Sequence, residues 1–324
     1  VEPSADLICA YVFDGRGAAR QVDWAGIRAH KPEDGWLWVH LQREEPGSRA
    51  WLERESGLDE ILCEALLSSE SRPRCEGHGD GLLLSLRGVN LNPGADPEDM
   101  VALVMWAEQG RVISVRRRRI MAVDAVRAAI AANRAPTSPG DFLATLAEGL
   151  VERVGPVVDE IEEQVADLED EIIANQTAGI RLKLAEIRRS AISLRRYIGP
   201  QREAMSRLLT QNTGWLTAMD LRLLREVADR ITRYVEDLDA ARERAQIVQE
   251  ELAARVSEQI NRNMYVLSIV AAVFLPLGLV TGYLGINVGG IPGAEWHWAF
   301  AAVGACLLAI AGFELWLFRK LKWI

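Results

Sequence analysis

The chain has 324 residues, of which 49% are hydrophobic, and its 37 Lys and Arg against 46 Asp and Glu give a formal net charge of −9. Its length admits a soluble domain plus further elements, at about 100–200 residues per domain. The acidic balance excludes a general nucleic-acid binder, which needs clustered Lys and Arg to neutralise phosphates, and accords with attraction of cations.

In chain order, residues 7–13, 35–41, 81–86, 100–107 and 111–115 are short apolar runs bounded by Gly, Pro, Asp or Asn, the signature of strands. Residues 48–57 and 58–69 read as helices between them, and Glu108-Gln109-Gly110 reads as a hairpin turn. Residues 1–138 are therefore expected to form an α/β domain of a sheet with packed helices. Beyond Pro139 the composition turns to Ala, Leu, Glu, Arg and Gln. A helix is expected over 141–174, broken at Gly155-Pro156, then a turn over 175–179 and a second helix ending near Tyr197, before Gly199-Pro200. Residues 139–214 are thus assigned as a helical hairpin.

Residues 215–274 contain no Gly or Pro. Leu221, Leu224, Ala228, Ile231, Val235, Leu238, Ala245 and Leu252 mark one apolar stripe, while Arg and Glu fill the other face. A helix of some sixty residues would be about 90 Å long, more than one bilayer needs, so it is expected to be a stalk over 215–262 continuing into a membrane span.

From Asn263 to Phe318 the only formally charged side chains are Glu295 and Glu314. Residues 263–284 and 298–318 each approach the roughly 20 apolar residues that cross a hydrocarbon layer. Arg255 and Arg262 precede the first span, Arg319, Lys320 and Lys322 sit in the tail over 319–324, and the loop over 285–297 has no Lys or Arg. The positive-inside rule places both termini in the cytoplasm and the loop outside, with Trp296, Trp298, Trp316 and Trp323 as interfacial anchors. Within the first span Met264, Ser268, Ala271, Leu275, Gly278 and Gly282 share a face of mainly small residues, open to reading as a packing seam or as the lining of a pore built from several copies.

The two spans are joined by Thr281-Gly282-Tyr283-Leu284-Gly285-Ile286-Asn287-Val288-Gly289-Gly290. This resembles the CorA family of two-span metal-ion transporters, whose signature is Gly-Met-Asn at the end of the first of two carboxy-terminal spans. The long helix entering the membrane at Asn261-Arg262, the basic tail and the α/β amino-terminal domain agree with it. Ile286 stands where the signature has Met, and Leu284 where Tyr commonly precedes the Gly, with Tyr283 one position earlier. Gly-Ile-Asn followed by Val-Gly-Gly looks like the zinc-transporting branch. The resemblance implies a homopentameric funnel in the inner membrane that moves zinc into the cytoplasm, possible proton coupling included, with Zn2+ as transported substrate and no permanently bound cofactor. Its partners would be further copies of itself, the lipid bilayer and divalent cations. It further implies that Asn287 rings the outer mouth, that Gly285 lets the backbone turn there, that Asn261, Leu275 and Gly278 fall on the channel axis, and that Met264 belongs to the inner constriction. A ring of neutral carboxamides suits this task, because it holds a hydrated cation without the tight binding of a carboxylate ring.

Other residues leave alternatives open. Glu295 and His297 are outer-mouth candidates, as a gatherer of cations and a zinc ligand, or as a solvated acid and an interfacial packing residue. The acids from Asp159 to Glu171 are a solvated helix face or an ion-binding one. Cys75 and His78 are expected in a loop, and no second pair of ligands completes a zinc site. Arg116 to Arg119 are expected to make salt bridges. The four cysteines indicate no disulfide framework, no signal peptide is expected from Val1-Glu2-Pro3, and no P-loop, G-x-S-x-G or paired-His motif points to an enzyme or ATP-driven pump. The alternatives to zinc transport are a magnesium, cobalt or nickel channel of the same family and a non-conducting membrane-anchored sensor or scaffold.

Overall fold

The computed structural model describes residues 6–69, 72–173, 179–285, 293 and 296–320. They fall into two units, Val1–Gln249 and Glu250–Ile324.

The first unit is built on a seven-stranded sheet of order β2-β1-β3-β7-β6-β5-β4. Its strands are β1 (Leu7–Phe13), β2 (Ala19–Val22), β3 (Trp36–Gln42), β4 (Arg74–His78), β5 (Gly81–Gly88), β6 (Val101–Glu108) and β7 (Arg111–Arg116). Only β3 and β7 pair in parallel, with Leu37 opposite Arg111 and Gln42 opposite Arg116; every other ladder is antiparallel. That parallel pair requires a crossover, supplied by everything between the two strands.

The sequence of β3 explains its central place, because alternate side chains of a strand face opposite ways and here both faces are covered. Leu37, Val39 and Leu41 join Trp51 and Leu52 of α2 (Pro46–Arg54) and Leu62, Cys63 and Leu66 of α3 (Glu60–Leu67) in one core cluster. On the other face the ring of Phe142, from a later helix (α5), lies 5.7 Å from Trp36 and 4.8 Å from Trp38. Phe13 stacks on Trp36 at 3.8 Å. The turn before β3 needs glycine, since Gly35 has a φ of 108° and a Cβ there would strike the Phe13 carbonyl oxygen. His40 is fully buried with Nδ1 2.8 Å from the Ser114 hydroxyl, and burial, reinforced by Arg116 and Arg127, holds it well below the ordinary histidine value and therefore neutral. Two residues, Gln109 and Gly110, connect β6 to β7, and Arg111 pairs with Glu108 across the turn.

Four elements were not anticipated. The edge strands β2 and β4 are short and polar, and α1 (Trp24–Ala29) and α4 (Met121–Ala131) are short helices, α1 being capped by Asp23.

Helices complete the first unit. α5 (Pro139–Glu152) starts at Ser138, whose hydroxyl accepts from the Asp141 N–H at 3.0 Å, and α6 (Gly155–Ile173) begins where the expected break falls. The turn expected at 175–179 lies outside the described residues apart from Gly179. α7 (Ile180–Thr210) corrects the expectation of an end at Gly199-Pro200, for it runs straight through them. Pro200 cannot donate to the Arg196 carbonyl, a loss worth about 3 kcal/mol or more in an isolated helix. Here it is offset by burial of Ile198, Gly199, Gln201, Ala204 and Met205, and by the Gln201 side-chain oxygen accepting from the Arg87 backbone N–H at 2.6 Å.

α8 (Ala218–Leu284) is one helix of 67 residues. Within the first unit its apolar stripe is buried at Leu224, Ala228, Ile231, Val235, Leu238 and Ala245. Arg244 forks onto Glu169 of α6 at 2.7 and 3.1 Å, and Asp239 receives Arg195 of α7 at 2.8 and 3.1 Å.

In the second unit, the rest of α8 and α9 (Ala299–Lys320) carry apolar windows with mean hydropathies of 2.2 and 2.0, and neither window is buried. Both are long and apolar enough to cross a membrane.

Candidate functional site

The candidate site is the apolar end of α8. At 100° per residue, Asn261, Met264, Ser268, Ala271, Leu275, Gly278 and Gly282 fall within an arc of about 100° on the helix surface. All seven are exposed on the protomer, Met264 by 61% and Leu275 by 77%. The half-buried positions of this stretch, Ile269, Ala272, Val273, Pro276, Leu277 and Val280, lie on the other side of the helix. The small-residue stripe is therefore part of the surface this protomer leaves uncovered, which also carries the exposed Leu267, Val270 and Phe274. Nothing stands within 4 Å of where a Cβ would lie at Gly278 or Gly282, so the backbone itself is presented there.

Two features of this stretch went unused in the sequence reading although both were legible. Pro276 sits inside the helix and has no N–H for the Ala272 carbonyl. Thr281 turns its hydroxyl back onto the Leu277 and Gly278 carbonyls at 3.0 and 3.1 Å, a pattern that bends membrane helices. The helix closes where the Gly285 N–H bonds the Thr281 carbonyl at 2.9 Å. Ile286, Asn287 and Glu295 lie outside the described residues. His297 is exposed in the turn leading into α9, between the exposed Trp296 and Trp298. In α9 the carboxylate of Glu314 has one oxygen buried without a hydrogen-bond partner among the described residues, an unusual group for an apolar helix.

Elsewhere, the acidic run on α6 is divided. Glu169 and Glu171 are engaged by Arg244 and Lys183 at 2.7 and 2.6 Å. Burial, then Asp237 and Asp159, push the Glu162 carboxyl up, and burial, then Glu236 and Asp159, do the same to Asp237. Among the described residues no group of three or more His, Cys, Asp or Glu is placed to hold a metal ion. Cys75 and His78 are not in a loop but on β4, three residues apart and so on opposite faces. Cys75 is buried, which pushes its thiol up to about 12, while His78 reaches Asp59 at 2.7 Å. Of the four arginines from Arg116, the last residue of β7, to Arg119, Arg117 and Arg119 make ion pairs with Glu44 and Asp124, both at 2.6 Å.

An α/β domain, a long helix that ends as an apolar segment, and a second apolar helix together define the class: a chain with two helices long and apolar enough to cross a membrane. The chain belongs to the CorA family: residues 33–320 match the model of the CorA-like Mg2+ transporter protein. It is 40% identical over 324 residues to the divalent cation transporter CmaX of Pseudomonas aeruginosa, covering 98% of this chain and 97% of that one. It is 34% identical over 316 residues to the zinc transport protein ZntB of Pectobacterium carotovorum, covering 97% and 95%. The structure of full-length CmaX superposes with a TM-score of 0.87 at 38% identity, over 99% of both chains. The family consists of transporters rather than enzymes.

Proposed function

We propose that the protein carries divalent metal cations, Zn2+ first, across the inner membrane into the cytoplasm through a pore on the axis of a homopentamer. The observation that carries this reading is the uncovered stripe from Asn261 to Gly282. One pair of helices cannot enclose water, so a path for ions needs several copies with one face of each turned inward, and the stripe lies on the surface that α9 leaves open. In that arrangement Asn261 and Met264 stand at the cytoplasmic end, Leu275 forms an apolar constriction at mid-span, and Gly278 lets neighbouring helices or hydrated ions approach the backbone. Asn287 provides a ring of carboxamides at the outer mouth, following Gly285 and Ile286 in sequence, with Glu295 and His297 close by in sequence. Both termini are cytoplasmic on the charge asymmetry of the flanks.

Zinc as first substrate is supported by Gly-Ile-Asn-Val-Gly-Gly and by the similarity to ZntB; the similarity to CmaX, named for divalent cations at large, supports the wider class. The test is competition between Zn2+ and Mg2+ for entry into liposomes holding the pure protein. Zn2+ is expected to enter in preference. A clear preference for Mg2+ reverses the assignment, and assembled protein that admits neither metal leaves the scaffold reading standing.

A further inference from the structure

β3, β5 and β7 run in the same direction through the sheet, and α7 packs against β5 and its neighbour β4. A cavity of about 330 Å³ opens there, lined by Arg43 just past β3, Arg87 near the end of β5, Arg117 and Arg118 just past β7, and Arg196 of α7. Two lining carboxylates, Glu98 and Asp99, oppose these five guanidinium groups and Glu44 pairs with Arg117, which leaves an excess of two positive charges among the described residues, in a chain of net charge −9.

Several of these groups are held in place by other bonds. The Arg87 guanidinium lies 3.9 Å over the Tyr197 ring and donates to the Met100 carbonyl at 2.6 Å. Arg43 donates to the Ser68 carbonyl at 2.9 Å. Glu98 accepts from the Ser190 hydroxyl at 2.7 Å through one carboxylate oxygen. Arg118 makes no ion pair among the described residues, and Arg196 contributes only its approach to the Tyr197 ring at 5.5 Å. Burial, and with it the nearby Arg196 and Arg43, pull Arg87 below the ordinary arginine value, and burial and Arg117 do the same at Arg43. The guanidinium groups therefore repel one another in a concave, partly desolvated place, and an anion bound among them would relieve that repulsion.

The ligand chemistry follows from charge, donor geometry and size. Planar guanidinium forks match the oxygens of phosphate two at a time, and an excess of two charges suits an anion carrying two. The volume lies at the lower end of the roughly 300–1,000 Å³ typical of small-molecule sites, which has room for an organic group beside the phosphoryl oxygens. We propose that this cavity binds a phosphate-bearing small molecule, whose oxygens bridge the sheet edge, through Arg43, Arg87 and Arg118, to Arg196 on α7. The site is independent of which metal the protein transports.

Calorimetric titration of the purified full chain in detergent tests it, with inorganic phosphate, AMP and ATP as probes and chloride at matched ionic strength as the control. Saturable binding of at least one phosphate compound is expected, and the double variant Arg118→Ala/Arg196→Ala should weaken it by about tenfold or more, since each charge-assisted contact removed is a strong one. Both side chains are exposed, so the melting temperature of the variant should match the wild type. Tighter binding of a nucleotide than of phosphate identifies an ester as the ligand; equal binding identifies free phosphate. The proposal is overturned by an absence of saturable binding for all three probes, by binding that chloride reproduces, or by binding that the double variant retains in full.

Discussion

Replacing Leu275 by Asp separates a pore-facing from a lipid-facing α8 stripe. Leu275 in α8 and Leu308 in α9 are each 77% exposed on the protomer, and each lies near the middle of its apolar segment. At the centre of a membrane helix Leu contributes about −0.3 to −0.6 kcal/mol and Asp about +2.5 to +3.5, so an exchange facing lipid costs about 3–4 kcal/mol. That is more than a hundredfold in the insertion or assembly equilibrium. Leu308→Asp is expected to suffer this loss. Leu275→Asp is expected to escape most of it, because a ring of carboxylates around the proposed pore would remain solvated, and to alter flux by holding the cation too tightly. The assay is the yield of assembled protein by size-exclusion chromatography, followed by metal entry into liposomes. Equal losses of assembled protein in the two variants would refute the pore-facing assignment of the stripe.

Two further predictions concern the first unit. Phe142 is fully buried against Trp36 and Trp38, so Phe142→Ala should lower stability by about 3–5 kcal/mol, read as a drop in the melting temperature of the full chain. A loss near zero would mean that α5 does not close that face of the sheet. Glu162 has a carboxyl raised by burial, then by Asp237 and Asp159, and Asp237 one raised by burial, then by Glu236 and Asp159. A raised carboxyl favours the folded state while protonated and opposes it once ionised, so stability falls as pH rises from the ordinary carboxylate value through the raised one. Glu162→Gln should therefore raise the melting temperature at neutral pH and flatten this pH dependence, and an unchanged profile would contradict it.

Much of the fold was legible because its central elements obey a single period. β1 stands on the residues expected, 7–13, and β3, β5, β6 and β7 differ from expectation by one or two residues at an end. β2 and β4 escaped because Ala-Arg-Gln-Val and Arg-Cys-Glu-Gly-His are polar edge segments, paired on one side only, where the ladder rather than the side chains makes the strand. Gly199-Pro200 misled in the opposite sense. Local propensity stops a helix there, but burial of one face of α7 and the Gln201 to Arg87 bond outweigh it. For the candidate site, the three- and four-residue steps from Asn261 to Gly282 marked a face, yet nothing in the spacing said whether α9 would cover it. That answer depends on which side of α8 the returning helix takes. The arginine cavity was invisible for a related reason: its residues lie as far apart as Arg43 and Arg196 and meet only through the sheet order.

The most direct test of the account is zinc entry into dye-loaded liposomes by the wild type and by Asn287→Ala at matched amounts of assembled protein. A carboxamide ring at the outer mouth predicts that the wild type admits zinc and that Asn287→Ala admits it much more slowly or with altered preference against magnesium. Equal rates and equal preference in the two proteins would remove Asn287 from the pathway, and with it the claim that ions cross along the axis framed by the α8 stripe.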